Sequence, residues 1–355
     1  MKNNNCREFI LRRVLVTEDI HPCGMDILIG EPNIEIVRVK NVDPETLRSA
    51  VRDVDAIIVR SAIFSADILQ EARKLKIVSR HGVGCDNIDV DHLSARRIPV
   101  AIASGSNALS VAEHTLGLML ATARNLVNQD TSVKRGCWAD RNKFRAVDLC
   151  GAKIVILGFG RTGRKVAPLC KAIGMEVVVA DIALDIDLAS NMDCRGVTDF
   201  RPELPDADFL TLHVPLNDST RHIVSTNELA AMKHGGILIN CARGGVVDNS
   251  ALVAALESGH IRAAGVDVMP IEPPPINDPL VLHPNVIMTP HNAAGAMSAA
   301  IAMSKMSAQN VVDMFAGKLA GDCVFNQMKL GDLTSRSPTT PKNRSGGMSC
   351  LNFTT

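Results

Sequence analysis

Lys153-Ile154-Val155-Ile156-Leu157-Gly158-Phe159-Gly160-Arg161-Thr162-Gly163 is the stretch on which the fold turns. An apolar run of strand character ends in three glycines at G-x-G-x-x-G spacing, and a helix-compatible segment, Arg164 to Ile173, follows. A second apolar run, Met175 to Ala180, then closes on an acid, Asp181. Each part meets a physical requirement. Gly158 permits a tight turn, Gly160 lets the main chain approach a pyrophosphate, and Gly163 lets the helix pack closely on the strand. The start of that helix offers unpaired N–H groups to an anion. Asp181 is placed to bind the hydroxyls of an adenosine ribose, and its charge would repel a 2′-phosphate, so the expected cofactor is NAD. A lone glycine motif can serve a turn and nothing else; strand, helix, second strand and terminal acid in register point to a dinucleotide site. Pro168 sits inside the helical segment and is tolerable if it falls near the first turns.

The chain has 355 residues, room for two domains of ordinary size, and at 46% hydrophobic and 21% charged it can bury a substantial core. With 38 basic and 38 acidic residues the formal net charge is zero, which gives no electrostatic reason to expect nucleic acid or an anionic membrane. No apolar stretch is long enough to span a membrane, and Met1 to Arg13 lacks the apolar centre of a secretory signal. Ten cysteines are scattered without a C-x-x-C pair, so reduced thiols in a cytoplasmic setting are expected. The ten histidines show no metal-ligand spacing either, and no metal is expected.

Outward from the glycine motif the chain alternates strands and helices. Before it, strands are expected at Arg13 to Thr17, Ile34 to Val39, Asp55 to Arg60, Ile77 to Ser79 and Val100 to Ile102. Helical stretches at Pro44 to Val51 and Ala66 to Ala72 make this first part a small doubly wound α/β unit. Ser110 to Asn125 reads as a long helix with Ser110 and Glu113 at capping-box spacing. Being apolar on more than one side, it is the expected dimer contact. Strands near Lys153 to Leu157, Glu176 to Ala180, Phe209 to His213, Ile237 to Asn240, Ala264 to Asp267 and Val286 to Thr289 make the six of a full dinucleotide fold. Ala296 to Phe315 reads as a helix running back to the first unit, and Leu333 to Thr355, rich in Ser, Thr, Pro, Asn and Gly, reads as a disordered tail.

Three residues follow the ends of predicted parallel strands, the edge at which open α/β sheets bind ligands. They are Arg243 in Asn240-Cys241-Ala242-Arg243-Gly244-Gly245, Glu272 before Pro273-Pro274, and His291 in Thr289-Pro290-His291. Singly, each has a bland reading: a surface charge, a turn cap, a hydrogen-bonded structural imidazole.

Taken with Gly82-Val83-Gly84-Cys85-Asp86-Asn87-Ile88-Asp89 and His213-Val214-Pro215-Leu216, these motifs give the chain a resemblance to the D-isomer-specific 2-hydroxyacid dehydrogenases, from about Val14 to Asn326. The resemblance implies a Rossmann NAD-binding domain inserted in a flavodoxin-like substrate domain, both doubly wound parallel sheets. Residues 1–107 and 297–330 would form the substrate domain, 108–296 the NAD-binding domain, and 331–355 the tail, with no regulatory domain after the core. It implies that His291 exchanges the substrate hydroxyl proton, that Glu272 orients the ring and stabilises imidazolium, and that Arg243 clamps the substrate carboxylate. Arg161 and Thr162 would give N–H groups to the pyrophosphate, and His213-Val214-Pro215 would flank the adenosine. Asp267 would hold the nicotinamide carboxamide beside Cys241 and Ala242, with Val83, Arg243 and His291 also against the cofactor. For Asp267, a helix or turn cap is the alternative reading. Cys241 and Cys85 read as small apolar packers.

At the substrate end, the resemblance assigns Gly82, Val83 and Gly84 to the carboxylate, with Arg60 and Ser61 nearby. The family's phosphoglycerate-oxidising members often continue Arg-Ser with Ala-Thr, where this chain has Ala62-Ile63-Phe64, and His81 stands where a small residue is common. Arg60, Arg80, Lys134 and Arg135 either face a distal anion or are solvated. The expected reaction is NAD-dependent oxidation of a D-2-hydroxy acid, with 3-phosphoglycerate the leading substrate, in a homodimer or a dimer of dimers. A hydroxypyruvate or glyoxylate reductase is the alternative enzyme, and a non-catalytic NAD-sensing protein the alternative of another class.

Overall fold

The structure of the protein, a computed structural model, describes residues 10–331. The segment expected to be a disordered tail falls, from residue 332 on, outside the described residues. The first sheet has five strands: β1 (Arg12–Val16), β2 (Ile34–Arg38), β3 (Ala56–Val59), β4 (Ile77–Arg80) and β5 (Val100–Ile102). They pair in parallel in the order β2-β1-β3-β4-β5, the flavodoxin-like winding. Seven strands form the second sheet: β6 (Lys153–Leu157), β7 (Glu176–Ala180), β8 (Arg195–Val197), β9 (Phe209–Leu212), β10 (Gly236–Asn240), β11 (Ile261–Val266) and β12 (Val286–Met288). Their order, β12-β11-β10-β9-β6-β7-β8, is again all parallel and reverses direction beside β6, where the glycine motif begins. Strands such as β3 (Ala-Ile-Ile-Val) and β10 (Gly-Ile-Leu-Ile-Asn) are buried along their whole length because helices cover both faces.

The sequence reading expected six strands in this sheet, and β8 is the seventh. It is a short edge strand, Arg-Gly-Val, partly exposed and without an apolar run, so it carries no pattern to detect. The helix expected from Ser110 runs instead over Ala108–Ala123, with Asn107 at its cap position, and no side-chain capping bond forms. Ser110 is buried inside the first turn, so the Ser110/Glu113 spacing does not mark the boundary. Pro168 falls in the second turn of the helix Gly163–Ala172, where it removes an N–H that would otherwise reach the carbonyl of Arg164.

Two helices connect the sheets to the rest of the chain. Ala108–Ala123 packs on β10, β11 and β12 and on the helix Gly163–Ala172. The return helix Met297–Phe315 packs instead on the first sheet, along β3, β4 and β5, and on the helix Pro22–Ile29. Gly24 permits that last contact: a Cβ there would lie 2.5 Å from the Ser304 carbonyl oxygen. Met303, Ala308 and Val311 bury the inner face of the return helix, each large side chain contributing about 1.5–3 kcal/mol. No helix among the described residues is long and apolar enough to cross a membrane.

Candidate active site

The glycine loop leaves β6 with Gly158 at φ +100°, a conformation that favours glycine, and a Cβ there would meet the His213 carbonyl at 2.7 Å. A Cβ on Gly163 would lie 2.0 Å from the Gly158 carbonyl oxygen, whereas one on Gly160 would meet nothing within 4 Å. The loop is therefore closed on its protein side and open at Gly160, the position at which a pyrophosphate must approach. At the start of the helix Gly163–Ala172 the Arg164 N–H already reaches the Gly160 carbonyl (3.1 Å) and the Lys165 and Val166 N–H groups reach that of Thr162 (2.8 and 3.0 Å), so the turn is tied to the glycine loop. Asp181, at the end of β7, accepts the Phe159 N–H at 2.8 Å through Oδ2 and the Ala183 N–H at 3.0 Å through Oδ1. Its carboxylate is thus held beside the glycine loop, and these residues fit NAD. Arg161 lies across the chain connection, its side chain against Gly105. His213 does not present its ring: Nε2 meets Thr211 Oγ1 at 3.0 Å, Nδ1 has no partner among the described residues, and burial pushes the pKa down to about 3. Only its main chain touches the loop, with Val214 half-buried and Pro215 exposed beyond it.

The loops after β10, β11 and β12 meet at one end of the second sheet. Asn240 ties the first of them, its amide oxygen accepting the Ala242 N–H at 3.0 Å and its amide nitrogen donating to the Arg243 carbonyl at 3.0 Å. Gly244 packs so tightly on the next loop that a Cβ would lie 2.1 Å from the Met269 carbonyl carbon. Cys241 is buried, as Cys85 is, and burial pushes both thiols up to about 12, the behaviour of apolar packers. Glu272 receives the Met269 N–H at 2.9 Å on Oε1 and faces His291 Nδ1 at 2.7 Å with Oε2. His291 has φ +50°, an unusual conformation for its residue type. Asp267 holds it there. Its main-chain oxygen accepts the His291 N–H at 2.8 Å, and its carboxylate accepts Thr289 Oγ1 at 2.5 Å, the Asn292 N–H at 2.8 Å and the Ala293 N–H at 3.0 Å. His114 adds a further contact to Thr289 Oγ1 at 3.0 Å. Asp267 is 2% exposed, and its contacts are those of a turn cap that pins both sides of His291.

The first sheet supplies the facing wall. Arg80, at the end of β4, donates from Nε to the Gly84 carbonyl at 2.8 Å and from Nη1 to the His81 carbonyl at 2.6 Å, so it braces Gly82, Val83 and Gly84. Burial lowers its pKa, and no carboxylate among the described residues forms an ion pair with it. Arg243 crosses from the second sheet to the same loop, donating from Nε to Asp86 Oδ2 at 2.8 Å. Arg60 is exposed nearby, but Ser61 is not free to meet a substrate. The N–H groups of Arg60 (3.0 Å), Ser61 (2.5 Å) and Ala62 (2.9 Å), with the Ser61 hydroxyl (2.6 Å), all donate to the Glu18 carboxylate. Those hydrogen bonds outweigh burial and hold the Glu18 carboxyl below its ordinary range. Lys134 pairs with Asp130 at 2.7 Å on its own helix, Leu126–Lys134. Three contributors escaped the sequence reading: Glu18, Asp86 and Thr289. Glu18 stands at a strand end, just past β1, the same signal that picked out Arg243 and His291.

Two parallel sheets, a glycine loop with its acid, and strand-end loops gathered at one edge define a dinucleotide-binding α/β protein. The chain belongs to the D-isomer specific 2-hydroxyacid dehydrogenase family: residues 116–293 match its NAD binding domain. It is similar to the D-3-phosphoglycerate dehydrogenase of Methanocaldococcus jannaschii, 39% identical over 326 residues, and to that of Archaeoglobus fulgidus, 38% over 306 residues. These alignments cover 90% and 86% of this chain, which spans only 62% and 58% of the lengths of those relatives. Among solved structures, the TT0316 protein of Thermus thermophilus superposes with a TM-score of 0.77 at 30% identity, over 86% of this chain and 97% of that one. The NADPH-dependent glyoxylate/hydroxypyruvate reductase of Sinorhizobium meliloti, in complex with NADP and malonate, superposes at 0.76 and 29%, over 86% and 94%.

Proposed function

We propose that the protein interconverts a D-2-hydroxy acid and its 2-keto acid with NAD, 3-phosphoglycerate being the leading substrate. The observation that carries this reading is the His291–Glu272 pair, 2.7 Å apart, at the sheet edge that also bears Arg243. With Glu272 ionised, Nδ1 of His291 carries the proton of that bond and Nε2 presents a lone pair. Nε2 then takes the hydroxyl proton of the acid while the C2 hydrogen leaves as hydride, and returns the proton in the reverse direction. When bound, NAD supplies the hydride acceptor, and the residues that would hold it are the loop Gly158–Gly163, Asp181, Val214, Pro215 and the main chain at Cys241 and Ala242. Arg243 fixes the substrate carboxylate together with the loop Gly82–Gly84. The half-buried Arg80, bound only to main-chain carbonyls, and the exposed Arg60 support an anionic group further along the substrate.

The division into 1–107 with 297–330 and 108–296 is our proposed domain layout, closing around both ligands. It is supported by the return helix packing on the first sheet. We propose a dimer as well, through a surface that joins the outer face of Ala108–Ala123 to the segment following it. The outer face of Ala108–Ala123 leaves Leu109 (54%) and Leu120 (37%) exposed, the helix Leu126–Lys134 buries no residue, and Trp138 beyond it is 65% exposed. The eight cysteines among the described residues are unpaired, which supports a reducing, cytoplasmic setting.

The test follows NADH oxidation with 3-phosphohydroxypyruvate and with hydroxypyruvate, in the wild type and in His291→Ala. Preference for the phosphorylated acid is expected, and His291→Ala should lower kcat by roughly 10²–10⁴ while NADH fluorescence still reports binding. Preference for hydroxypyruvate would favour the reductase reading. NADH binding without turnover of any 2-keto acid would leave an NAD-sensing protein.

A further inference from the structure

Among the described residues, the pair between Arg243 and Asp86 is the one ion pair that joins the loops of the two sheets. The guanidinium is bracketed on every side. Nε donates to Asp86 Oδ2 at 2.8 Å, Nη1 donates to the Ala242 carbonyl at 2.6 Å, and Nη2 lies so close to Gly84 that a Cβ there would come within 1.6 Å. A bidentate grip on a carboxylate needs two donors along one edge of the fork. Of the edge made by Nε and Nη2, the Nε donor is already taken by a carboxylate, that of Asp86. Its side chain is 58% exposed, so it can swing into solvent without leaving a buried charge behind.

We propose that Asp86 is the resident counter-ion and positioning residue of Arg243, displaced by the carboxylate of the 2-hydroxy or 2-keto acid when that acid binds. The proposal rests on the reading of Arg243 as the carboxylate clamp. Before binding, Asp86 aims the guanidinium across the gap between the sheets. On binding, one carboxylate replaces another, so the charge of the arginine is neutralised throughout. The exchange also makes Asp86 a competitor of the substrate. Removing its charge should therefore tighten binding, which loss of a merely structural contact would not do.

The experiment compares the wild type with Asp86→Asn and Asp86→Glu. It reads KM and kcat for whichever 2-keto acid is turned over, and the affinity of NADH-loaded protein for oxalate by NADH fluorescence. In Asp86→Asn, KM and the oxalate Kd should both fall by about two- to fivefold, the worth of an exposed ion pair. Asp86→Glu, which restores the charge, should bring both back towards the wild-type values. If both constants rise or stay unchanged in Asp86→Asn while the wild type is active, the proposal is overturned and the clamp reading stands. If the wild type neither turns over a 2-keto acid nor binds oxalate, the clamp reading fails and the proposal falls with it.

Discussion

Acid should weaken this protein through His81, and replacing that residue should remove a measurable part of the effect. The ring is 6% exposed, wedged between the end of β4 and the return helix, with Nε2 2.9 Å from Ser304 Oγ. Ser304 in turn receives the His21 N–H at 2.9 Å, so one imidazole ties two helices to the sheet. Burial, and after it the charges of Arg60 and Arg80, push the His81 pKa down from 6.5 to about 4. A folded value below the unfolded one means that the fold favours the neutral ring. The contribution is therefore complete above about 6.5 and is lost as the pH falls towards about 4. That interval corresponds to roughly 3 kcal/mol, most of it gone by a pH of about 4.5. It is a large share of a typical stability of about 5–15 kcal/mol. Urea unfolding of wild type and His81→Ala at neutral pH and near pH 4.5 measures it. The variant should start lower, having lost packing, but its fall on acidification should be smaller by roughly 2–3 kcal/mol. His213, pushed down to about 3 by burial, leaves some acid sensitivity in both proteins. Equal falls in the two proteins would refute the assignment to His81.

Asp181→Ser should lower kcat/KM with NADH and raise it with NADPH, shifting their ratio by at least roughly tenfold, about 1.4 kcal/mol; an unmoved ratio would detach Asp181 from the ribose. Asp267→Ala removes the acceptor of three donors, Thr289 Oγ1 and the Asn292 and Ala293 N–H groups. Each donor left buried and unpaired costs about 1–3 kcal/mol, so the midpoint of thermal unfolding should drop. kcat should fall by more than KM changes, because His291 loses its support; a shift in KM alone would mean that Asp267 acts on binding and not on the imidazole.

What could be read from the chain was what the chain expresses locally. The glycine loop needs only its own spacing and two flanking apolar runs, and strand boundaries fell within a few residues because fully buried strands are apolar throughout. Arg243, Glu272 and His291 could be singled out because they follow strand ends, and the structure brings Glu272 and His291 to 2.7 Å at that edge. The rest depends on distant partners. Glu18 meets Ser61 across 43 residues, Arg243 meets Asp86 across 157 and His81 meets Ser304 across 223. No pattern along the chain announces such contacts. Ser61 shows the cost of that blindness: its position suited a substrate, yet its donors serve Glu18. The apolar character of Ala108–Ala123 on more than one side is only partly explained by the fold: its inner faces pack on β10, β11, β12 and Gly163–Ala172, while Leu109 and Leu120 stay exposed.

The conformation of His291, φ +50°, locked by the cap from Asp267, has a thermodynamic consequence. The entropy of ordering the main chain that carries the imidazole is lost once, when the chain folds, and no arriving ligand has to supply it. On the proposed exchange Arg243 is arranged in the opposite way, its guanidinium trading Asp86 for the substrate carboxylate on binding. Comparing the free protein with one bound to a 2-keto acid should then find the main chain of His291 unchanged and the guanidinium of Arg243 re-partnered, a division between a fixed residue and a movable one.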